Sequence, residues 1–263
     1  MSGTLRNKLG ERDPAVLASK EYSRTTARQR QLMSGQVQLP RTFDADHVRA
    51  IHRHLFQDVY DWAGEYRTVP IYKGTPVGFA DVASGAVDRY LTDVHRLVGA
   101  TPWTELDRDG FGERAATVFA YLNQAHPFRE GNGRTSKVFM EHVAELSNFT
   151  LDYDRVDPQQ WNEASKWSGP DLFAYEPHPA ELVPVFRAIA VPRPAVPARS
   201  AELGSQSRLA PPGVEARKSA ARKTPAEATR AKISDRIERE APKRGRAAPD
   251  EVDGPRGRAP RTR

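Results

Sequence analysis

The sequence predicts an all-α domain with one small β-hairpin, followed by a basic tail without fixed structure. Three observations predict it. Apolar residues recur at three- and four-residue spacing in several stretches between residues 14 and 190. One pair of short extended segments, near 68–80, interrupts them. From Val191 the composition changes: no Phe, Trp or Tyr, 10 of the 21 prolines, and 18 Lys/Arg against 9 Asp/Glu.

Residues 14–35 read as one polar N-terminal helix that Gly35 stops, within an extension spanning 1–39. Residues 44–61 predict a clearer helix, with Val48, Ile51, Leu55, Val59 and Trp62 on one face. His52 and His54 lie on it among arginines and read as surface or partly buried residues. Gly64 ends that helix. Thr68 to Tyr72 then reads as a strand, Lys73 to Pro76 as a turn, and Val77 to Ala80 as the return. Prolines on both arms suit an edge hairpin, and an exposed edge can accept another chain as an extra strand.

Asp81 to Val98 predicts a helix with Val87, Tyr90, Leu91, Val94 and Leu97 on one face. Phe111 to Gln124 is more apolar and predicts a buried helix; Arg134 to Ser147 predicts the next. Trp161, Trp167 and Phe173 are expected in a C-terminal helical layer, and Pro179 to Ala190 in the last helix. The domain of interest thus spans 40–190, with the tail at 191–263.

The tail carries a net charge of +9, which leaves −3 for residues 1–190, so the basic character belongs to the tail alone. It cannot bury enough apolar surface to offset its ordering entropy, although Ala226 to Glu240 lacks proline and suits a transient helix. Such a tail suits nucleic acid, acidic proteins or anionic lipid, but no aromatics interleave its cations to stack on single strands. The chain has no cysteine, which removes disulfide frameworks and thiolate zinc sites and fits a reducing cytoplasm. No apolar run is long enough to span a membrane, and the first residues lack a signal-peptide core. A cytoplasmic location is the expectation, with delivery into another cell left open.

The chemistry is concentrated in His126-Pro127-Phe128-Arg129-Glu130-Gly131-Asn132-Gly133-Arg134-Thr135-Ser136-Lys137. Gly131 and Gly133 permit positive φ and close backbone approach, so their amides can line an anion-binding concavity. The following helix points its N-terminal dipole and unpaired amides at the same place. Arg134 and Lys137, three residues apart, share one side of its first turn, where two cations oppose the dipole unless an anion sits between them. Glu130 is a hard oxygen ligand able to hold Mg²⁺ between phosphate oxygens. Asn132 can bond a phosphate or orient the loop. His126 has an ordinary pKa near neutrality and is the candidate general base. Pro127 stiffens the helix exit, and Phe128 anchors the loop in the core.

This run resembles the active-site motif of Fic domains, His-Pro-Phe-x-Asp/Glu-Gly-Asn-Gly-Arg-x-x-Arg, with Lys137 at the last position. The resemblance extends upstream through Phe56 to Thr68 and covers roughly 40–190. It implies Mg²⁺-dependent transfer of AMP from ATP to a Ser, Thr or Tyr hydroxyl of a target protein. His126 would be the base and Glu130 the Mg²⁺ ligand. Gly131, Asn132, Gly133, Arg134 and Lys137 would hold the nucleotide. The hairpin, through Ile71, Tyr72, Lys73 and Gly74, would be the flap that docks the target. Lysine at 137 keeps the charge of the family's arginine but loses its bidentate fork.

Many Fic proteins are restrained by a helix bearing Ser/Thr-x-x-x-Glu-Gly/Asn. Thr101 to Glu105 and Ser234 to Glu238 begin that pattern, but Leu106 and Arg239 fail to complete it. A separate small antitoxin-like protein is therefore the expected inhibitor. Rival readings are UMP or phosphate transfer by the same loop, a pseudoenzyme that binds ATP without turnover, and a scaffold acting through the tail. Gly133 argues against phosphate transfer, because the phosphotransferase relatives carry lysine there.

Overall fold

A computed structural model describes residues 3–72 and 78–193. The chain is mostly helical, with seven α-helices and one two-stranded sheet among those residues. The helices are α1 (Pro14–Met33), α2 (Ala45–Phe56), α3 (Ala86–Gly99), α4 (Arg108–Ala125), α5 (Asn132–Ala144), α6 (Pro158–Trp167) and α7 (Val183–Ile189). The strands are β1 (Phe149–Leu151) and β2 (Ala190–Pro192).

Aspartates start four of the helices. Asp13, Asp44, Asp107 and Asp157 each accept a hydrogen bond from the first turns of α1, α2, α4 and α6, an arrangement worth about 1 kcal/mol per cap. Helix α5 has no such cap, since Gly131 precedes it with no side chain to offer. Its first intrahelical bond runs from Thr135 N–H to Gly131 O, so the amides of 132–134 precede the ladder.

The core forms around α4, which packs against α3, α5 and α7. Ala115, Ala116, Ala120 and Ala125 on α4 are wholly buried and let its neighbours approach closely. Phe111, Phe128, Phe139 and Phe186 fill the space between. The predicted buried helix is thus the one that carries His126 at its C-terminal end.

Several expectations need correction. The helix beginning at 44 stops at Phe56, and Val59 and Trp62 pack from turns rather than from helical positions. The sheet does not come from the 68–80 segment. Residues 68–72 and 78–80 carry no strand, although Phe79 N–H bonds Ile71 O at 3.2 Å. The two strands instead join antiparallel across the domain, with Thr150 opposite Val191 and Leu151 opposite Ala190. Strand β2 therefore reaches past residue 190, where the basic tail was expected to begin. Trp161 and Trp167 both lie on α6 as expected, Trp161 packing on Phe119 and Phe186 and Trp167 exposed at the helix end, but Phe173 is 98% exposed in a loop. Lys73, Gly74 and the tail from 194 onward lie outside the described residues.

Candidate active site

His126 ends α4 in a left-handed conformation, with φ 38° and ψ 56°. A non-glycine residue there is uncommon, and it turns the chain sharply into the loop. The His126 ring stacks on Phe79 at 3.6 Å between centroids, with 9° between the planes. Pro127 is buried, and Phe128 anchors the loop in the core as expected.

The loop is braced by residues far away in sequence. His52 is fully buried and stacks on Phe128 at 3.8 Å. Its Nδ1 accepts from Gly64 N–H at 2.8 Å. That leaves the proton on Nε2, which donates to the carbonyl of Glu130 at 3.0 Å. Burial pushes His52 down to about 3, so the ring is neutral, in agreement with that tautomer. The expectation of a surface or partly buried histidine thus understated the burial of His52. His54 is less enclosed, at the margin of the core with Nε2 3.1 Å from Arg28 O. Their helical neighbours include several arginines, and local composition hid the aromatic wall contributed by Trp62 and Phe128.

Arg67 is the second brace. It is almost wholly buried, and its Nε donates to the carbonyl of His126 at 2.8 Å. Its other nitrogens bond the carbonyls of Val69 and Ala80, and its own N–H bonds Pro127 O. One guanidinium thus ties both arms of the flap segment to the residue expected to be the base. Gln124 adds to this by donating from its side chain to Gly78 O, while its carbonyl accepts from Ala80 N–H. Ile71 lies at the foot of this segment, and Tyr72 is 69% exposed at its described end.

The two glycines have different reasons. Gly131 has φ +81°, and a Cβ there would lie 2.2 Å from the Phe56 ring. Gly133 sits in the first turn of α5 without positive φ, and a Cβ there would meet nothing within 4 Å. The expected conformational need at Gly133 is absent. Gly133 lines the adjoining pocket, with its backbone open to that space. Asn132 spends its amide on Phe128, accepting from its N–H at 2.9 Å and donating to its carbonyl at 2.7 Å. Of the two roles considered for it, orienting the loop is the one this geometry fills.

A pocket of about 600 Å³ opens beside the loop, lined by Glu130, Gly131, Gly133, Arg134 and Lys137, with Thr25 and Trp161 among the facing residues. Glu130 extends its half-exposed carboxylate there and accepts from Gly131 N–H at 2.9 Å. Arg134 is engaged by Glu21 of α1, by Thr25 and by Glu130. Lys137 Nζ lies over Tyr153 at 4.8 Å and Trp161 at 5.4 Å from the ring centroids. Burial holds the Glu141 carboxyl, one turn further along α5, above the usual carboxylate range, against the pull of Lys137. The two cations of α5 therefore point to different surroundings. The anion required beside them is supplied in part by α1.

No group of three His, Cys, Asp or Glu side chains suited to a metal exists among the described residues. Glu130 alone fits Mg²⁺ only where other oxygens complete the shell, as when the ion arrives on a phosphate chain. No described helix is long and apolar enough to cross a membrane.

A loop of this composition at the N-terminus of a buried helix defines a phosphate-binding class of site. The family is equally definite. Residues 42–144 match the Fic/DOC family model, and the chain belongs to that family. It is 32% identical over 166 residues to the probable protein adenylyltransferase Fic of Escherichia coli, covering 62% of this chain and 78% of that protein. It is 36% identical over 165 residues to the protein adenylyltransferase VbhT of Bartonella schoenbuchensis, covering 62% of this chain but 34% of that longer protein. Among solved structures it resembles the BepC protein of Bartonella tribocorum with bound AMPPNP. That match has a TM-score of 0.60 at 25% identity and covers 73% of this chain and 94% of the other. It also resembles the Fic domain of a putative cell filamentation protein of Bartonella quintana with bound ADP, with a TM-score of 0.62 at 29% identity, covering 73% and 93%.

Proposed function

We propose that this chain is a protein adenylyltransferase that moves AMP from ATP to a Ser, Thr or Tyr hydroxyl of a target protein. The observation that carries the reading is the loop itself. The backbone of the histidine at one end of a phosphate-binding turn is held by Arg67, and the backbone of Glu130 at the other end is held by His52, which leaves the carboxylate reaching into the pocket. The named activities of the relatives and the nucleotides bound by similar structures support it.

In this reading the terminal phosphates enter the pocket between Glu130 and Lys137. The amides of 132–134 and the dipole of α5 stabilise their charge. Arg134 and Lys137 supply the cations. His126 takes the proton from the target hydroxyl, whose oxygen attacks the α-phosphorus, and pyrophosphate leaves. Glu130 would hold Mg²⁺ brought by the nucleotide, which would neutralise charge on the α- and β-phosphates. The flap segment from Ile71 through Tyr72, Lys73 and Gly74 aligns the target chain by backbone pairing. Restraint comes from a separate antitoxin-like protein, since neither internal candidate completes the inhibitory pattern. Glu238→Gly then leaves the rate unchanged, and activation by that change defeats this part of the reading.

The test is intact-protein mass spectrometry after incubation with ATP and Mg²⁺, with wild type beside His126→Ala. An AMP-sized gain in wild type alone supports the reading, because such enzymes often modify themselves when no target is supplied. ATP binding without any gain, on the chain or on proteins of a bacterial lysate, favours the pseudoenzyme. A gain only with UTP places the chain among other nucleotidyl transferases.

A further inference from the structure

We propose that Glu21, on α1 and outside the segment that matches the family model, is a positioning residue for nucleotide binding: it holds Arg134 in place at the pocket mouth. The proposal rests on the functional reading above and adds to it a residue from a different part of the chain.

Glu21 is 7% exposed, although it is a carboxylate on a helix otherwise largely polar. A buried carboxylate persists where its oxygens are paired. One oxygen of Glu21 accepts from Arg134 Nη2, and the other accepts from the hydroxyl of Tyr60. Tyr60 is itself buried, and both burial and the Glu21 bond push its pKa up, so it remains a donor. Arg134 Nη1 donates to Thr25 Oγ1 at 3.1 Å, one turn further along α1. The guanidinium carbon lies 4.7 Å from the centre of the Phe56 ring. Nη2 also lies 3.4 Å from Glu130 Oε1. The planar fork is thus held by two groups of α1, one aromatic face of α2 and the loop carboxylate.

Three consequences follow from charge and entropy. An arginine already ordered loses little rotamer freedom when a phosphate arrives. Glu21 offsets one of the two cations that face the positive end of α5, so the first turn is stable before any nucleotide binds. The carboxylate of Glu130 shares Nη2 with Glu21, so its orientation depends on α1 as well. This contact is a permanent brace and not a latch. Releasing Arg134 would leave the Glu21 carboxylate buried with only one hydroxyl donor, while α1 stays packed on α2.

The experiment compares wild type with Glu21→Gln and Tyr60→Phe by ATP–Mg²⁺ calorimetry and by self-modification rate against ATP concentration. Glu21→Gln is expected to weaken ATP binding and raise half-saturating ATP about tenfold, with the plateau rate changed less than about threefold. Tyr60→Phe keeps the ion pair and removes one hydrogen bond, so it shifts both in the same direction by a smaller factor. Should Glu21→Gln not fold, the same comparison is read from Tyr60→Phe alone. A purely structural role lowers the melting temperature and leaves the half-saturating concentration in place. Unchanged affinity, or a faster rate as a latch requires, overturns the proposal. Wild type that binds ATP but transfers no AMP defeats the functional reading instead, and calorimetry still decides the role of Glu21.

Discussion

His52 Nε2 lies 3.0 Å from the carbonyl oxygen of Glu130, 78 residues away in sequence. The same ring accepts from Gly64 N–H and stacks on Phe128. A histidine on α2 therefore sets where the candidate metal carboxylate begins. His52→Ala removes two hydrogen bonds and leaves a cavity, and is expected to cost about 3 kcal/mol of stability. Chemical denaturation measures this; a loss below about 1 kcal/mol contradicts it.

Acid should destabilise the fold before carboxylates titrate. Burial pushes His52 down to about 3 and His47 to about 4, from an ordinary value of 6.5. His142, whose Nδ1 lies 2.9 Å from His47 Nε2, is lowered as well. These rings stay neutral when folded but take a proton when unfolded. Their stabilisation is full above about 6.5 and is lost as pH falls toward the folded values. Each contributes a slope of up to ~1.4 kcal/mol per pH unit. Urea midpoints between pH 7 and 5 should fall steadily, and a flat profile refutes this.

The two loop glycines should respond in opposite ways. Gly131→Ala forces a Cβ against Phe56 at positive φ and should cost about 3 kcal/mol or more. Gly133→Ala should leave stability unchanged or raise it by up to about 1 kcal/mol, because alanine suits a helix and nothing obstructs it. Its expected cost is in nucleotide affinity. Melting curves with and without ATP separate the two effects.

Arg67→Met keeps much of the buried volume but leaves the carbonyls of His126, Val69 and Ala80 without their donor. We expect a loss of about 3 kcal/mol, together with an AMP-transfer rate reduced more than ATP affinity. Equal loss of both would show that Arg67 serves the fold alone.

Lys137→Arg restores a planar fork beside Tyr153 and Trp161. Half-saturating ATP should fall about fivefold, corresponding to ~1 kcal/mol from a bidentate phosphate contact. No change would show that the lysine already binds as well as arginine would.

Local pattern carried much of the architecture. The periodicity of Val87, Tyr90, Leu91 and Val94 marks α3, and the apolar density of 111–124 marks the buried α4. The twelve residues from His126 mark the loop without help from any structure. The misreadings have separate causes. His52 and His54 sit among charged helical neighbours, and only distant partners bury them. The sheet pairs residues 39 to 43 positions apart, and its three-residue strands are too short for alternation to register. Gly133 was assigned a turn conformation because it stands next to one.

The sequence by itself determined the helical class, the phosphate-binding loop, the family and the identity of the candidate base. Helical period and motif spacing are short-range properties that a linear chain displays directly. The tertiary structure decided which distant side chains hold that loop: His52 on Glu130, Arg67 on His126, and Glu21 with Tyr60 on Arg134. The first and last depend on how α1 and α2 pack beside the loop and α5, and the Arg67 contact depends on the segment after Gly64 crossing the end of α4. A buried polar group gains its partner only from that packing.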